Sequence, residues 1–119
     1  MNMVANIAVA LVAALHSYFL VLEMFLWTKP TGLRTFGLTP EFAQASKTLA
    51  ANQGLYNGFL AAGLLWGLFS PVGGYAFKMF FLGCVIVAGL YGGFTVGRKI
   101  LFVQALPGAI ALALVLLAG

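Results

Sequence analysis

Val4-Ala5-Asn6-Ile7-Ala8-Val9-Ala10-Leu11-Val12-Ala13-Ala14-Leu15-His16-Ser17-Tyr18-Phe19-Leu20-Val21-Leu22-Glu23-Met24-Phe25-Leu26-Trp27 is an almost unbroken apolar run. A helix crosses the hydrocarbon core of a bilayer with about 20 residues, so this run is long enough to span. It stops at Thr28-Lys29-Pro30, just after Trp27, where an interfacial aromatic, a cation and a helix breaker fall together. A cleaved signal peptide fits poorly. Met1-Asn2-Met3 carries no cation, the run is too long, and no small-residue cleavage site follows.

The rest of the chain repeats the pattern. Of 119 residues 63% are hydrophobic and 7% are charged, against about a quarter charged in a soluble domain. Six Lys and Arg and two Asp and Glu give a formal charge of +4. Eight charged side chains do not keep a soluble globule of this size dispersed. The cations are scattered rather than clustered. An ordinary cytosolic enzyme, a disordered protein and a nucleic-acid binder are thereby excluded, and the partner implied is the lipid bilayer.

Further spans follow from turn and cap signals. Thr31 to Leu38 contains Gly32 and Gly37 and reads as a loop. Thr39-Pro40-Glu41 reads as a helix start, with a capping hydroxyl, proline in the first turn and an acid beside it. The pattern then stays helical to about Phe69, its polar first part (39–48) forming a cytoplasmic extension of the second helix. Ser70-Pro71-Val72-Gly73-Gly74 is a turn, Gly97-Arg98-Lys99 closes the third span, and Pro107 is expected to kink the fourth. The fold class expected is all-α: a polytopic four-transmembrane-helix bundle, one membrane domain over 1–119, with spans of about 4–27, 49–69, 75–94 and 100–118.

Lys29, Arg34, Lys47, Arg98 and Lys99 fall on one side of these spans and Lys78 alone on the other. The positive-inside rule then puts both termini on the non-cytoplasmic side. Gly54 and Gly58, Gly63 and Gly67, and Gly89, Gly93 and Gly97 each recur four residues apart. Such faces let membrane helices approach closely, and the expectation is tight packing of spans two and three; a homodimer face is the alternative use.

Polar residues within the spans carry the functional information. His16 and Glu23 are seven apart and share a helix face, about 10 Å apart along the axis. An ionised group at mid-span costs about 3 kcal/mol on insertion scales, so neither should face lipid. Span two holds Asn52, Gln53, Tyr56 and Asn57, with the last three within one three-and-four set. Tyr91 and Thr95 lie in span three and Gln104 in span four. At about 1.5 Å per residue from the cytoplasmic ends, Glu23, Gln53, Tyr91 and Gln104 lie at similar depth, and His16 lies level with Asn57. Polar groups from four helices in one half of the membrane describe a pocket open toward the cytoplasm.

A bland reading competes at each position. Asn, Gln, Tyr and Thr commonly bridge helices at about 1 kcal/mol or less. That reading is favoured for Asn52 and is at least even for Tyr56, Thr95 and Gln104. It is weakest for Glu23 and His16, because structure alone does not need an ionisable group. No metal is expected. One His and one Glu leave zinc two ligands short, haem on His16 would lack a second axial His, and the single Cys84 reads as a small apolar side chain. The residues specify no cofactor.

Three stretches resemble signatures of one bacterial family. They are His16-Ser17-Tyr18-Phe19 with Leu22-Glu23-Met24-Phe25-Leu26-Trp27, then Ala51-Asn52-Gln53-Gly54-Leu55-Tyr56-Asn57-Gly58-Phe59-Leu60-Ala61-Ala62-Gly63, then Ala88-Gly89-Leu90-Tyr91-Gly92-Gly93 with Thr95, Gln104 and Pro107. The chain is similar over its full length to the small four-span membrane proteins designated domain of unknown function 1304. The resemblance implies a bacterial inner-membrane location and an activity not yet assigned, although some members carry the label epimerase.

Three functions are weighed on these residues. A binding protein would take a small or amphipathic ligand from the cytoplasmic leaflet, anchored by Glu23 with His16, Gln53, Asn57 and Tyr91 around it. An isomerase or epimerase would need a proton acceptor and donor flanking one carbon, and Glu23 with Tyr91 matches in depth better than Glu23 with His16. A transporter or channel would need an oligomer, and the apolar non-cytoplasmic half argues against it.

Overall fold

The computed structural model describes residues 2–118, and every regular element among them is helical. In chain order these are α1 (Asn2–Met24), α2 (Pro30–Phe36), α3 (Pro40–Phe69), α4 (Gly74–Thr95), a π-helical segment Leu101–Ala105 and α5 (Leu106–Ala118). Among the described residues three helical stretches are long and apolar enough to cross a membrane: Asn2–Met24, Gly74–Thr95 and Leu101–Ala118. The 30-residue α3 is longer than any of them, but Asn52, Gln53, Tyr56 and Asn57 dilute its apolar character.

The chain divides into two compact units. One takes in the chain up to Ala13 together with residues from Leu60 onward. Its core is apolar and built at helical spacing. Ala5, Val9, Val12 and Ala13 of α1 meet Leu64 of α3, Leu82 and Val85 of α4, and Ala111 and Val115 of α5. The other unit is Ala14–Phe59. It contains the end of α1, α2 and the start of α3, and buries Leu22, Ala43, Ala50, His16, Glu23 and Asn57.

Helix α1 ends three residues before Trp27, short of the expected span. The Leu26 amide reaches back five residues to the Val21 carbonyl at 3.2 Å, which unwinds the last turn. The following segment is a helix rather than the expected loop. Pro30 supplies a preset φ in the first turn, and Gly37 closes α2 in the left-handed region at φ 64°. The Leu38 amide then bonds the Leu33 carbonyl at 2.9 Å. Gly32 lies so close to the Leu26 carbonyl that a Cβ would overlap it. The start of α3 follows expectation: the Phe42 amide donates to Thr39 Oγ1 at 3.2 Å.

Pro107 accounts for the π-helical turn. Proline has no N–H for the Val103 carbonyl and its ring crowds that position. One extra residue is therefore looped out, and the Leu106 amide bonds the Leu101 carbonyl five residues back. The bulge lies over α4. A Cβ on Gly89 would meet the Ala105 amide nitrogen at 2.8 Å, and Gly92 lies 3.1 Å by the same measure from Ile100. The expected packing of spans two and three is present at one glycine face, while the others meet different neighbours, Gly54 and Gly58 lying against α1. Gly63 and Gly67 of α3 face Phe81 and Lys78 of α4, whereas Gly89, Gly92 and Gly93 face residues 100–105. Spacing shows that a helix has a small face; it does not show which helix fills it.

Gly89→Ala should cost about 1–3 kcal/mol, because the obstruction is backbone that cannot rotate away. Gly83→Ala, with nothing within 4 Å of the new Cβ, should be neutral or slightly stabilising. Unfolding in detergent micelles followed by circular dichroism would show the contrast.

Candidate functional site

The buried stripe of α1 continues from Val9 and Val12 to His16 and then, two turns on, to Glu23. Facing this end of α1, α3 presents the buried positions Ala50, Gly54 and Asn57, spaced four and three apart. Gly54 makes the meeting of these two stripes close. A Cβ there would lie 2.6 Å from Met24 Cγ, 3.1 Å from Glu23 Cβ and 3.2 Å from the Leu20 carbonyl oxygen. Gly58, one turn further, gives the same room to the Leu20 side chain. With glycine on either side of it, the short Asn57 side chain reaches across, and Asn57 Nδ2 donates to Glu23 Oε1 at 2.5 Å.

Glu23 is 6% exposed and His16 is fully buried. The His16 ring sits edge-on to Phe19, with centroids 5.3 Å apart and planes at 72°. The second unit thus buries one carboxylate, one imidazole and one amide, beside the apolar Phe19, Leu20 and Met24. A buried carboxylate offers a strong acceptor for a cation or an N–H or O–H donor, and an imidazole offers a proton acceptor or donor. Among the described residues no three His, Cys, Asp or Glu side chains come together as metal ligands.

The other residues singled out in the sequence lie elsewhere. Asn52, Gln53 and Tyr56 are exposed. Gln53 and Tyr56 each precede a buried position by one residue, and one residue rotates a helix by about 100°, which carries them off the stripe. Tyr56 instead meets Phe59 edge to face, with centroids 5.7 Å apart. Tyr91 in α4 is 71% exposed, and its carbonyl accepts a 2.7 Å bond from Thr95 Oγ1. Gln104, in the π-helical segment, donates from Nε2 to the Val85 carbonyl at 3.1 Å. It thereby ties that segment to α4 beside the Gly89 contact.

A further polar contact joins the segment after α1 to α3. Trp27 Nε1 donates to Ser46 Oγ at 3.1 Å, Ser46 Oγ donates to the Phe42 carbonyl at 2.7 Å, and the Trp27 ring lies against Phe36 at 4.9 Å. An interfacial tryptophan signals an anchor; its pairing with a hydroxyl 19 residues away leaves no local sequence signal.

Asn57→Leu removes a donor and leaves a buried carboxylate oxygen unpaired, at a cost of about 1–3 kcal/mol. Glu23→Gln keeps an oxygen acceptor for Asn57 and should cost less. Thermal unfolding of both variants in the same detergent would rank them. Equal stability of Asn57→Leu and wild type would show that the bond contributes nothing net.

The family described as "Protein of unknown function (DUF1304)" matches residues 10–116. The chain is also similar to the "Uncharacterized protein YpaA" of Lactococcus lactis subsp. lactis (strain IL1403), at 32% identity over 106 residues. That likeness covers 87% of this chain and 89% of the relative. No solved structure matches it. The matched stretch runs from Ala10, within α1, through the Glu23 and Asn57 stripes and the π-helical segment nearly to the end of α5, so the chain belongs to the DUF1304 family of proteins of unknown function.

Proposed function

We propose that this chain is a multi-pass protein of the bacterial inner membrane that holds a small or amphipathic ligand at Glu23. In this reading α3 is a fourth span beside the three apolar helices, residues 1–119 form one membrane domain, and both termini lie outside the cytoplasm. The charge asymmetry supports that orientation: Lys29, Arg34, Lys47, Arg98 and Lys99 fall on one side of the spans and Lys78 alone on the other. The observation that carries the functional reading is the burial of Glu23 with Asn57 as its donor. An Asn with a Gln would join α1 to α3 as well, and would avoid taking a carboxylate out of water. A carboxylate there suits a ligand that presents a cation or a hydrogen-bond donor, with His16 two turns along the same face as its proton-responsive neighbour.

Native mass spectrometry of gently extracted wild type beside Glu23→Gln tests the reading. The expected outcome is a bound mass on wild type that Glu23→Gln loses while its unfolding temperature holds. The same bound mass on both proteins, or none on either, would reduce the Glu23–Asn57 pair to a helix clamp. Labelling of single cysteines placed at Thr35 and Val72, in a background where Cys84 is replaced, tests the orientation. Position 72 should react with a membrane-impermeant reagent from the periplasmic side, and position 35 only after the membrane is opened.

A further inference from the structure

A second polar feature lies within the first unit and owes nothing to Glu23. An open cavity of about 330 Å³ is lined by Asn2, Ala5 and Asn6 of α1, Tyr75 and Lys78 of α4, and Val115 and Ala118 of α5. Lys78 Nζ donates to Asn6 Oδ1 at 3.3 Å, so the cation is held at this cavity by an amide and not by an acid. No acid is at hand. The chain has only two carboxylate side chains, Glu23 and Glu41, and both belong to the other unit. The Lys78 stem is also seated. Gly67 lies under it so closely that a Cβ would stand 2.8 Å from Lys78 Cγ.

Asn6 also lines a second, apolar groove of about 540 Å³, formed with Met3, Ile7, Ala10, Leu68 and Phe69. A cation with two amides and a phenol thus adjoins a trough suited to hydrocarbon. Lys is a point-charge binder of phosphate, and Tyr at a membrane interface places a hydroxyl among headgroups. We propose that this end of the unit is a binding site for one anionic phospholipid. Its phosphate meets Lys78 and Asn6, and an acyl chain lies along Met3, Ile7, Ala10 and Leu68. Inorganic phosphate would leave the groove empty. A second copy of this chain, with six cations to two carboxylates, would not supply the charge.

The test is native mass spectrometry of the full chain in a neutral detergent, titrated with phosphatidylglycerol, with phosphatidylcholine, and with inorganic phosphate as competitor. Wild type should hold one phosphatidylglycerol more tightly than phosphatidylcholine. Lys78→Gln should weaken that binding about fivefold, as loss of one cation near a lipid surface implies. Lys78→Arg should keep it, and Glu23→Gln should leave it unchanged, which separates this site from the ligand proposed above. Ala10→Phe should weaken it by filling the groove, and it tests the site even where Lys78→Gln does not fold. Equal affinity in Lys78→Gln and wild type, in Ala10→Phe and wild type, or for the two lipids would overturn the proposal. Displacement of the lipid by millimolar phosphate would overturn it in favour of a free-anion site.

Discussion

Helices surrounded by hydrocarbon gain little by hiding apolar side chains from one another, because lipid is as apolar as leucine. What holds them is close contact, and here close contact depends on missing side chains. Gly54 and Gly58 admit α1 to α3, Gly63 admits Phe81, Gly89 admits the backbone of Ala105, and Gly108 admits Val85. The hydrogen bonds between elements follow from those approaches. Asn57 reaches Glu23 only because Gly54 and Gly58 flank it. Gln104 reaches the Val85 carbonyl beside the place where Gly89 lets the bulged backbone descend onto α4. Large apolar side chains such as Phe69, Phe94 and Leu117 are left on the outside, which suits contact with acyl chains and would be costly in water.

The apolar runs, the Thr39 cap and the turn at Ser70–Gly73 announce the long helices because their signals are local: run length, a capping hydroxyl, adjacent glycines. Helix α2 escaped that reading although its signals were present. Pro30 and Gly37 mark its ends, but it is only seven residues long and the two glycines favour a loop. The π-helical turn is invisible to periodicity. Proline announces a disturbed helix, and whether the backbone kinks or inserts a residue is decided by what it rests on. Among the polar residues, burial follows one-residue differences in rotation. Asn57 is in the stripe and Tyr56 is not, and only the partner helix defines where the stripe runs. Lys78 and Asn6 drew little notice because they are 72 positions apart and their relation exists only in the folded unit.

The two units differ in chemistry as well as in sequence. Residues 14–59 contain both carboxylates, the only histidine and three cations, whereas residues 1–13 and 60–119 contain Lys78, Arg98 and Lys99 with no acid side chain. With no acidic side chain among its described residues, this unit offers its cations no side-chain ion pair of its own, so each is served by water, headgroups or an anion from outside. Arg98 and Lys99 sit exposed at the connection after α4, where solvent or headgroups suffice. Lys78 is half-buried with its stem seated over Gly67, and an amide alone does not balance its charge.

Glu23 poses the converse problem: an acid placed where a neutral residue would hold the helices together as well. Removing one member of a buried polar pair costs far more than replacing both, so a structural pair needs matched hydrogen-bonding partners but not a charge. Asn57 satisfies one oxygen, Oε1, and leaves Oε2 outside that bond. The side chains nearest the missing Cβ of Gly54 are those of Met24 and Glu23 itself, so the same small residue that brings α3 close also leaves Glu23 beside a flexible thioether. A methionine there is adaptable to an incoming group in a way that a packed leucine is not. A carboxylate with one fixed donor and a deformable neighbour is arranged to accept a second donor, which is the feature on which the proposed ligand contact rests.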